Sequence, residues 1–427
     1  MLPLKTFLLL ILITLCSAQM SYAQNPTIRY SSIIYFFPDT QVNQIEISQQ
    51  LSFFTQTQSL PKNTSKPLAI LSLVNDFNTY FPVPKHSYLS YFGRGIAKKS
   101  AQDIQDTKQA LVVDIAFPRE QALTANKAMV HFLHKVANTY PGLIWDSETR
   151  ELFSPNKWHE QRISPWQDTY PEVSQHNVIH AYKSGTGVRA ITLGMAKFGL
   201  PDIVINNFSW SLNRSMGNLI NLTAQTLLEA PTALNGNRVS INIDKLKNLP
   251  FKQTLLASLK ENANTKTELE IKDAQWEEGD PDNHLIEILF SHAQGNSLSE
   301  QQESLLSHLY GREDSISYVK HNRHILEASA RAKKKLNNLA KAFNAGLAPG
   351  EFIQVKAPFT TPDGANEWMW VEILSWQGNN IRGILKNEPY HIPNLKSGSE
   401  VLVKQIRFSI TFAATQIESL KEMKRAH

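Results

Sequence analysis

Cysteine is all but missing from this chain: Cys16 is the single one among 427 residues, and it sits in an apolar stretch at the very start. A mature protein that loses that stretch has no thiol. This excludes a disulfide framework, a cysteine nucleophile and any cysteine-ligated metal site. Long hydrophobic runs are also missing. Past the start, no segment approaches the roughly 18 uncharged apolar residues that a membrane-crossing helix needs. Charge of one sign is barely in excess, with 43 Lys and Arg against 38 Asp and Glu, a net of +5. The basic residues are interspersed with acids, which argues against a nucleic-acid footprint gathered on one face. No Gly-x-Ser-x-Gly elbow, no His-Glu-x-x-His pair and no Gly-x-x-x-x-Gly-Lys phosphate loop occurs. Short-period repeats and low-complexity tracts are absent as well. What is present is an ordinary globular composition, 42% hydrophobic and 19% charged, with enough length for two or three cores.

The start reads as a secretory leader. Lys5 supplies the positive n-region, Phe7 to Ile13 an unbroken apolar run, and Ser21-Tyr22-Ala23 the small residues of a cleavage site. The run is too short to span a bilayer, so the expectation is cleavage after Ala23, export to the periplasm and no transmembrane span in the mature chain. The alternative, a lipoprotein acylated at Cys16, is disfavoured by the large Leu15 before the cysteine.

Periodicity organises the rest. Ile33 to Phe37, Leu68 to Val74 and Leu111 to Phe117 are β-rich apolar stretches. From Gln121 to Tyr140, Met129, Phe132, Leu133, Val136, Ala137 and Tyr140 recur at helical spacing, and Pro141-Gly142 ends the helix before Leu143-Ile144-Trp145. Strands are expected again over His176–Tyr182, Val188–Met195, Pro201–Asn206, Val239–Ile243 and Leu285–Phe290, with a helix over Leu212–Leu228. Mixed strands, helices and hairpins favour α+β layers over a doubly wound parallel sheet. The expected division is an α+β region over 27–293, built as two halves of similar logic (27–165 and 166–293), then a helical connector over 299–345. A small β domain over 346–412 and a helical tail over 413–427 complete it. In the β domain the period drops to two, and Thr361-Pro362-Asp363-Gly364 is a turn. Its short strands suggest an SH3-like barrel or a curled antiparallel sheet.

Glu351-Phe352-Ile353-Gln354-Val355-Lys356, Glu367-Trp368-Met369-Trp370-Val371, Trp376, Asn387-Glu388-Pro389 and Gly398, in that order, resemble the YegJ-like bacterial domain of unknown function over about residues 325–410. The resemblance implies a shared fold and carries over no activity. Thr192 to Gly199 with Pro201-Asp202 is similar to a strand-turn-strand of other uncharacterised bacterial α+β domains.

Candidate chemistry is sparse. His131 and His134 project at about 200° and 140° from Met129 at ~3.6 residues per turn, on the solvated side of their helix. His176 and His180 on one strand face would stand about 13 Å apart, too far for a shared metal ion. The acids Asp273, Glu277, Glu278, Asp280 and Asp282 fail the calcium-loop register at Pro281 and read as a solvated loop. No metal and no cofactor are therefore expected. Two binding candidates remain. Strict alternation puts Trp368, Trp370 and Trp376 on the face opposite Met369, Val371 and Ile373, either as a second core or as an aromatic platform. Glu367 and the Asn387-Glu388-Pro389-Tyr390 loop would form its rim. The helix carries a basic face of Arg331, Lys334 and Lys341, suited to an anionic partner or simply solvated. The expectation is an exported, non-catalytic binding or accessory protein whose partner is a protein, peptide or glycan of the cell envelope. Alternatives are an envelope hydrolase assembled from distant residues and a polyanion or nucleic-acid module, the latter disfavoured by export.

Overall fold

The computed structural model describes residues 26–75, 81–185, 187–311, 338–404 and 410–414. The leader with Cys16 and the Ala23 cleavage site, the basic residues Arg331 and Lys334, His321 and His324, and most of the C-terminal tail lie outside them. The fold is mixed helix and sheet, as expected, and its strands gather into three large sheets.

The first sheet contains β1 (Thr27–Phe36), β2 (Thr55–Gln56), β3 (Leu68–Val74), β4 (Gly93–Arg94), β5 (Ala110–Pro118), β6 (Gly142–Asp146) and β7 (Glu151–Phe153), in the order β2-β3-β5-β1-β6-β7-β4. Strands β5 and β6 each run antiparallel to β1, so they are mutually parallel. Helix α4 (Ala122–Thr139) carries the chain from one to the other. Its apolar stripe (Met129, Phe132, Leu133, Val136) closes a core with Ile34, Val113, Ile115 and Phe117, joined by α1 (Gln44–Gln50) through Ile47. The opposite sheet face is covered by α2 (His86–Phe92) and α3 (Lys98–Asp103) through Leu89 and Ala101. Both faces being buried explains why β5 reads as a continuous apolar run rather than an alternation.

After the short α5 (Pro155–Trp158) and the hairpin β8 (Trp166–Gln167) and β9 (Tyr170–Pro171) comes the second sheet. It holds β10 (Val178–Ser184), β11 (Gly187–Leu193), β12 (Asp202–Phe208), β13 (Leu234–Asn235), β14 (Arg238–Asn242), β15 (Lys266–Asp273) and β16 (Leu285–Leu289), in the order β10-β11-β12-β16-β15-β14-β13. Helix α6 (Asn213–Glu229) leads from β12 to the far-edge hairpin of β13 and β14, passing β16 and β15. Helices α7 (Leu249–Ser258) and α8 (Leu298–Tyr310) join α6 on the same face, contributing Phe251, Leu255, Leu306 and Leu309 to that core. The strand expected over His176–Tyr182 begins only at Val178, because His176 closes a 3-10 turn over Val173–Gln175. The two histidines therefore do not share a strand face.

The third sheet contains β17 (Phe352–Thr360), β18 (Asn366–Gln377), β19 (Asn380–Leu385), β20 (Glu400–Lys404) and β21 (Ile410–Ala414). All pairs are antiparallel, in the order β20-β19-β18-β17-β21. Among the described residues the edge strands β20 and β21 do not pair, so no barrel closes, and of the two expected forms the curled antiparallel sheet is the compatible one. The helix over 338–345 lays Leu339, Ala340 and Phe343 on the core face of Ile353, Val355, Met369 and Val371. A helical lid thus supplies the burial that strand closure would have provided. Ala413 and Ala414, expected in a helical tail, belong to β21.

Candidate functional site

The second and third sheets meet at a seam of carboxylate contacts. Buried Glu372 of β18 accepts from the Ser211 hydroxyl just before α6. Glu303 of α8 pairs with Lys386, and Glu300, one turn earlier, accepts from Ser399 Oγ at 2.7 Å. Gly398 is required there: at φ 89°, a Cβ would come within 2.6 Å of the Glu300 Cα and the Ser299 carbonyl. Along this seam opens a groove of about 880 Å3, within the range of small-ligand sites. Its walls are Leu212 and the first turns of α6 (Arg214, Ser215, Asn218), Ser258 at the end of α7 with Lys260 beyond it, the α8 face of Glu303, Ser307 and Tyr310, and the loop Lys386 to Tyr390 with Ser397. Among the described residues the lining has three cations, Arg214, Lys260 and Lys386, against two carboxylates, Glu303 and Glu388. It has no histidine. Both carboxylates hold structural contacts, Glu303 with Lys386 and Glu388 with the Ser397 amide at 3.1 Å.

The loop singled out in the sequence is a wall of this groove, and its shape is fixed by side chains also singled out there. Glu367 accepts from the Tyr390 and His391 amides at 2.8 and 3.1 Å. Asn387 Oδ1 accepts from the Trp370 amide at 2.6 Å. Pro389 is half-buried, and Tyr390 is left 63% exposed at the rim.

The tryptophan face is corrected. A bulge between Ile373 and Ser375 shifts the register of β18 against β19, so the period-two count fails beyond it. Trp376 therefore joins Met369, Val371 and Ile373 in the core and packs on Phe343 at 6.4 Å. Trp368 and Trp370 stay half-buried on the other face, with Lys356 Nζ 5.9 Å from the Trp370 ring. Of the basic face, only Lys341 is described, and it is exposed.

The first and second sheets are joined by a buried charged cluster that sequence reasoning missed. Asp146, at the end of β6, accepts from Lys197 Nζ at 2.7 Å and from Arg162 Nη2 at 3.3 Å. Arg162 also reaches Glu151 at 3.1 Å and lies over the Phe153 ring at 4.4 Å. A π turn over His159–Ile163 carries Arg162 inward. Lys197 rides on the 3-10 turn Met195–Phe198, part of the strand-turn-strand noted in the sequence, which packs against β1 and α4 of the first sheet's layer. Asn126 Nδ2 donates to the Lys197 carbonyl at 2.6 Å, and Arg119 donates to the Gly199 carbonyl.

Burial alone would raise the Asp146 carboxyl, but Lys197 and Arg162 hold it well below the usual range. Nearby Glu148 is pushed up to about 7 by burial, and Asp202 up to about 6 by the same cause. Near Arg162 and Lys197, His176 has its Nε2 buried with no hydrogen-bond partner among the described residues; burial, then those two cations, hold its pKa well below the ordinary imidazole value. The cavity here has room for about 10 Å3, a single water at most. The cluster is a structural weld rather than a ligand site.

The acidic loop read as solvated is partly internal. Asp280 is buried, 2.6 Å from the Nη2 of a buried Arg189. Alternation on β11 sends Val188 and Ala190 into the main core, and Arg189 to the opposite face under this loop. His131 is exposed and His134 stacks on His159 at 5.1 Å. No group of three metal-binding side chains forms among the described residues.

Comparison with known families is decisive for one segment only. Residues 322–411 match a bacterial family described as an uncharacterized protein conserved in bacteria (DUF2314). The match covers the third sheet as far as the start of β21 and supports the bacterial domain of unknown function expected there, though not the YegJ-like label. Neither a curated protein nor a solved structure matches the chain. No helix of the described residues is long and apolar enough to cross a membrane.

Proposed function

We propose that this chain is an exported, periplasmic, non-catalytic binding or accessory protein that holds a peptide or glycan of the cell envelope in the seam groove. One observation carries the reading. The groove is shared by the α+β region and the family-matched sheet, and its wall is the Asn387–Tyr390 loop that Glu367 and Asn387 hold in place. A preformed, hydrogen-bonded wall lowers the ordering cost of binding. Its carboxylates are engaged in the seam rather than poised beside a base, which favours binding over hydrolysis. We further propose the domain division as an α+β region, a helical connector and the curled sheet, with the region's two halves welded at Asp146.

Two measurements test this. Mass spectrometry of protein released from the native host by osmotic shock should find an N-terminus at Gln24. A chain beginning at Met1 in the cytoplasm would overturn the export. Envelope fragments added to the mature chain should raise its Tm in proportion to ligand, and Asn218→Trp, which fills the groove, should abolish the rise. A rise that survives in the filled variant would place the ligand elsewhere.

A further inference from the structure

The groove wall has a chemical bias that narrows its occupant, granted the binding reading above. Its lining is rich in hydroxyls and amides, with Ser215, Asn218 and Ser307 among them. None of these three side chains is hydrogen-bonded among the described residues. A ligand dense in hydroxyls meets such a surface better than an apolar one does, because each buried polar group needs a partner. Arg214, in the first turn of the 17-residue α6, lines the groove with no ion-pair partner among the described residues, while the helix end itself is already met by Glu372 at the Ser211 amide. An unpaired guanidinium in a polar groove suits a site that receives negative charge. A second observation points the same way: the Tyr310 hydroxyl, on the α8 side of the groove, is buried with no hydrogen-bond partner among the described residues. At the rim, Tyr390 offers an exposed ring beside these polar groups, the amphipathic surface on which a sugar ring packs.

We propose that the groove binds an acidic oligosaccharide. Its carboxylate sits at Arg214, its hydroxyls pair with Ser215, Asn218 and Ser307, and one sugar ring lies on Tyr390. Calorimetry on the full mature chain tests this with three probes: an oligogalacturonate, its neutral methyl ester, and tetraglutamate. The oligogalacturonate should bind. The methyl ester should bind at least tenfold more weakly, as should the acid to Arg214→Gln and to Tyr390→Ala. Circular dichroism and an unchanged Tm establish that these surface variants fold. Equal binding of acid and ester overturns the anionic subsite. Binding of tetraglutamate without the oligogalacturonate overturns the glycan class while leaving the groove as the site. Oligogalacturonate binding indifferent to both variants overturns the groove itself, and binding of none of the three overturns the acidic oligosaccharide.

Discussion

Replacing Asp146 by Asn keeps the shape of the side chain and removes its charge, which isolates what the carboxylate does. In the native cluster that carboxylate faces Lys197 at 2.7 Å and Arg162 at 3.3 Å, with all three side chains nearly inaccessible. The variant leaves two cations in a dry site with only Glu151 to share, so the cost should be that of breaking a buried pair, about 3–5 kcal/mol. Guanidinium unfolding followed through Trp158 and Trp166 reads the first transition. Trp158 packs at Phe153 and Arg162, and Trp166 against His176. Lys197→Met in the same background should recover part of the loss, a coupling of about 1–3 kcal/mol in the double-mutant cycle. A loss under about 1 kcal/mol, or strict additivity with Lys197→Met, would refute the claim that this cluster joins the two halves.

Other perturbations follow from the same structure. Glu148 is protonated in the fold up to about pH 7, whereas a free Glu ionises near ~4.3. The folded state therefore holds an extra proton between those values, and stability from this group is full at low pH and falls as pH rises through the window. Glu148→Gln should stabilise by roughly 1–3 kcal/mol at pH 8 and by nothing at pH 4. A difference curve flat with pH would contradict this, and comparison with wild type leaves the opposing His176 effect largely in common. Trp376→Ala should cost about 3–5 kcal/mol and Trp368→Ala clearly less, since only the first is core; equal losses in thermal unfolding would restore the single-face reading. Gly199→Ala, at φ 66° with a Cβ 2.8 Å from Ile28 Cδ1, should cost more than about 1 kcal/mol; a neutral result would show the turn to be loose.

How far the sequence could be read depended on how local the physics was. The α4 stripe and the apolar runs of β1, β5 and β12 declared themselves because each element's own periodicity matches its burial. Strand β15 was missed although Leu269 and Ile271 alternate inward, since Lys, Glu and Asp on its other face outweigh them in composition. The Trp376 error came from a bulge, which one extra residue creates without leaving a mark in the hydrophobic pattern. The Asp146 cluster ties Asp146 to Lys197, 51 positions on, so no local pattern marks Asp146 and Lys197 reads only as part of a turn motif. The Asn387–Tyr390 loop was recognised but paired with the tryptophan face; that α6 and α8 stand opposite it is a consequence of how the sheets dock.

The groove claim is tested most directly by hydrogen–deuterium exchange of the mature chain with glycans and peptides released from the envelope. The account predicts slowed exchange over 212–218 and 386–390 together, one segment from each side of the seam. Slowing confined to other surfaces, such as the strand bearing Trp368 and Trp370, or on one side of the seam alone, would contradict it.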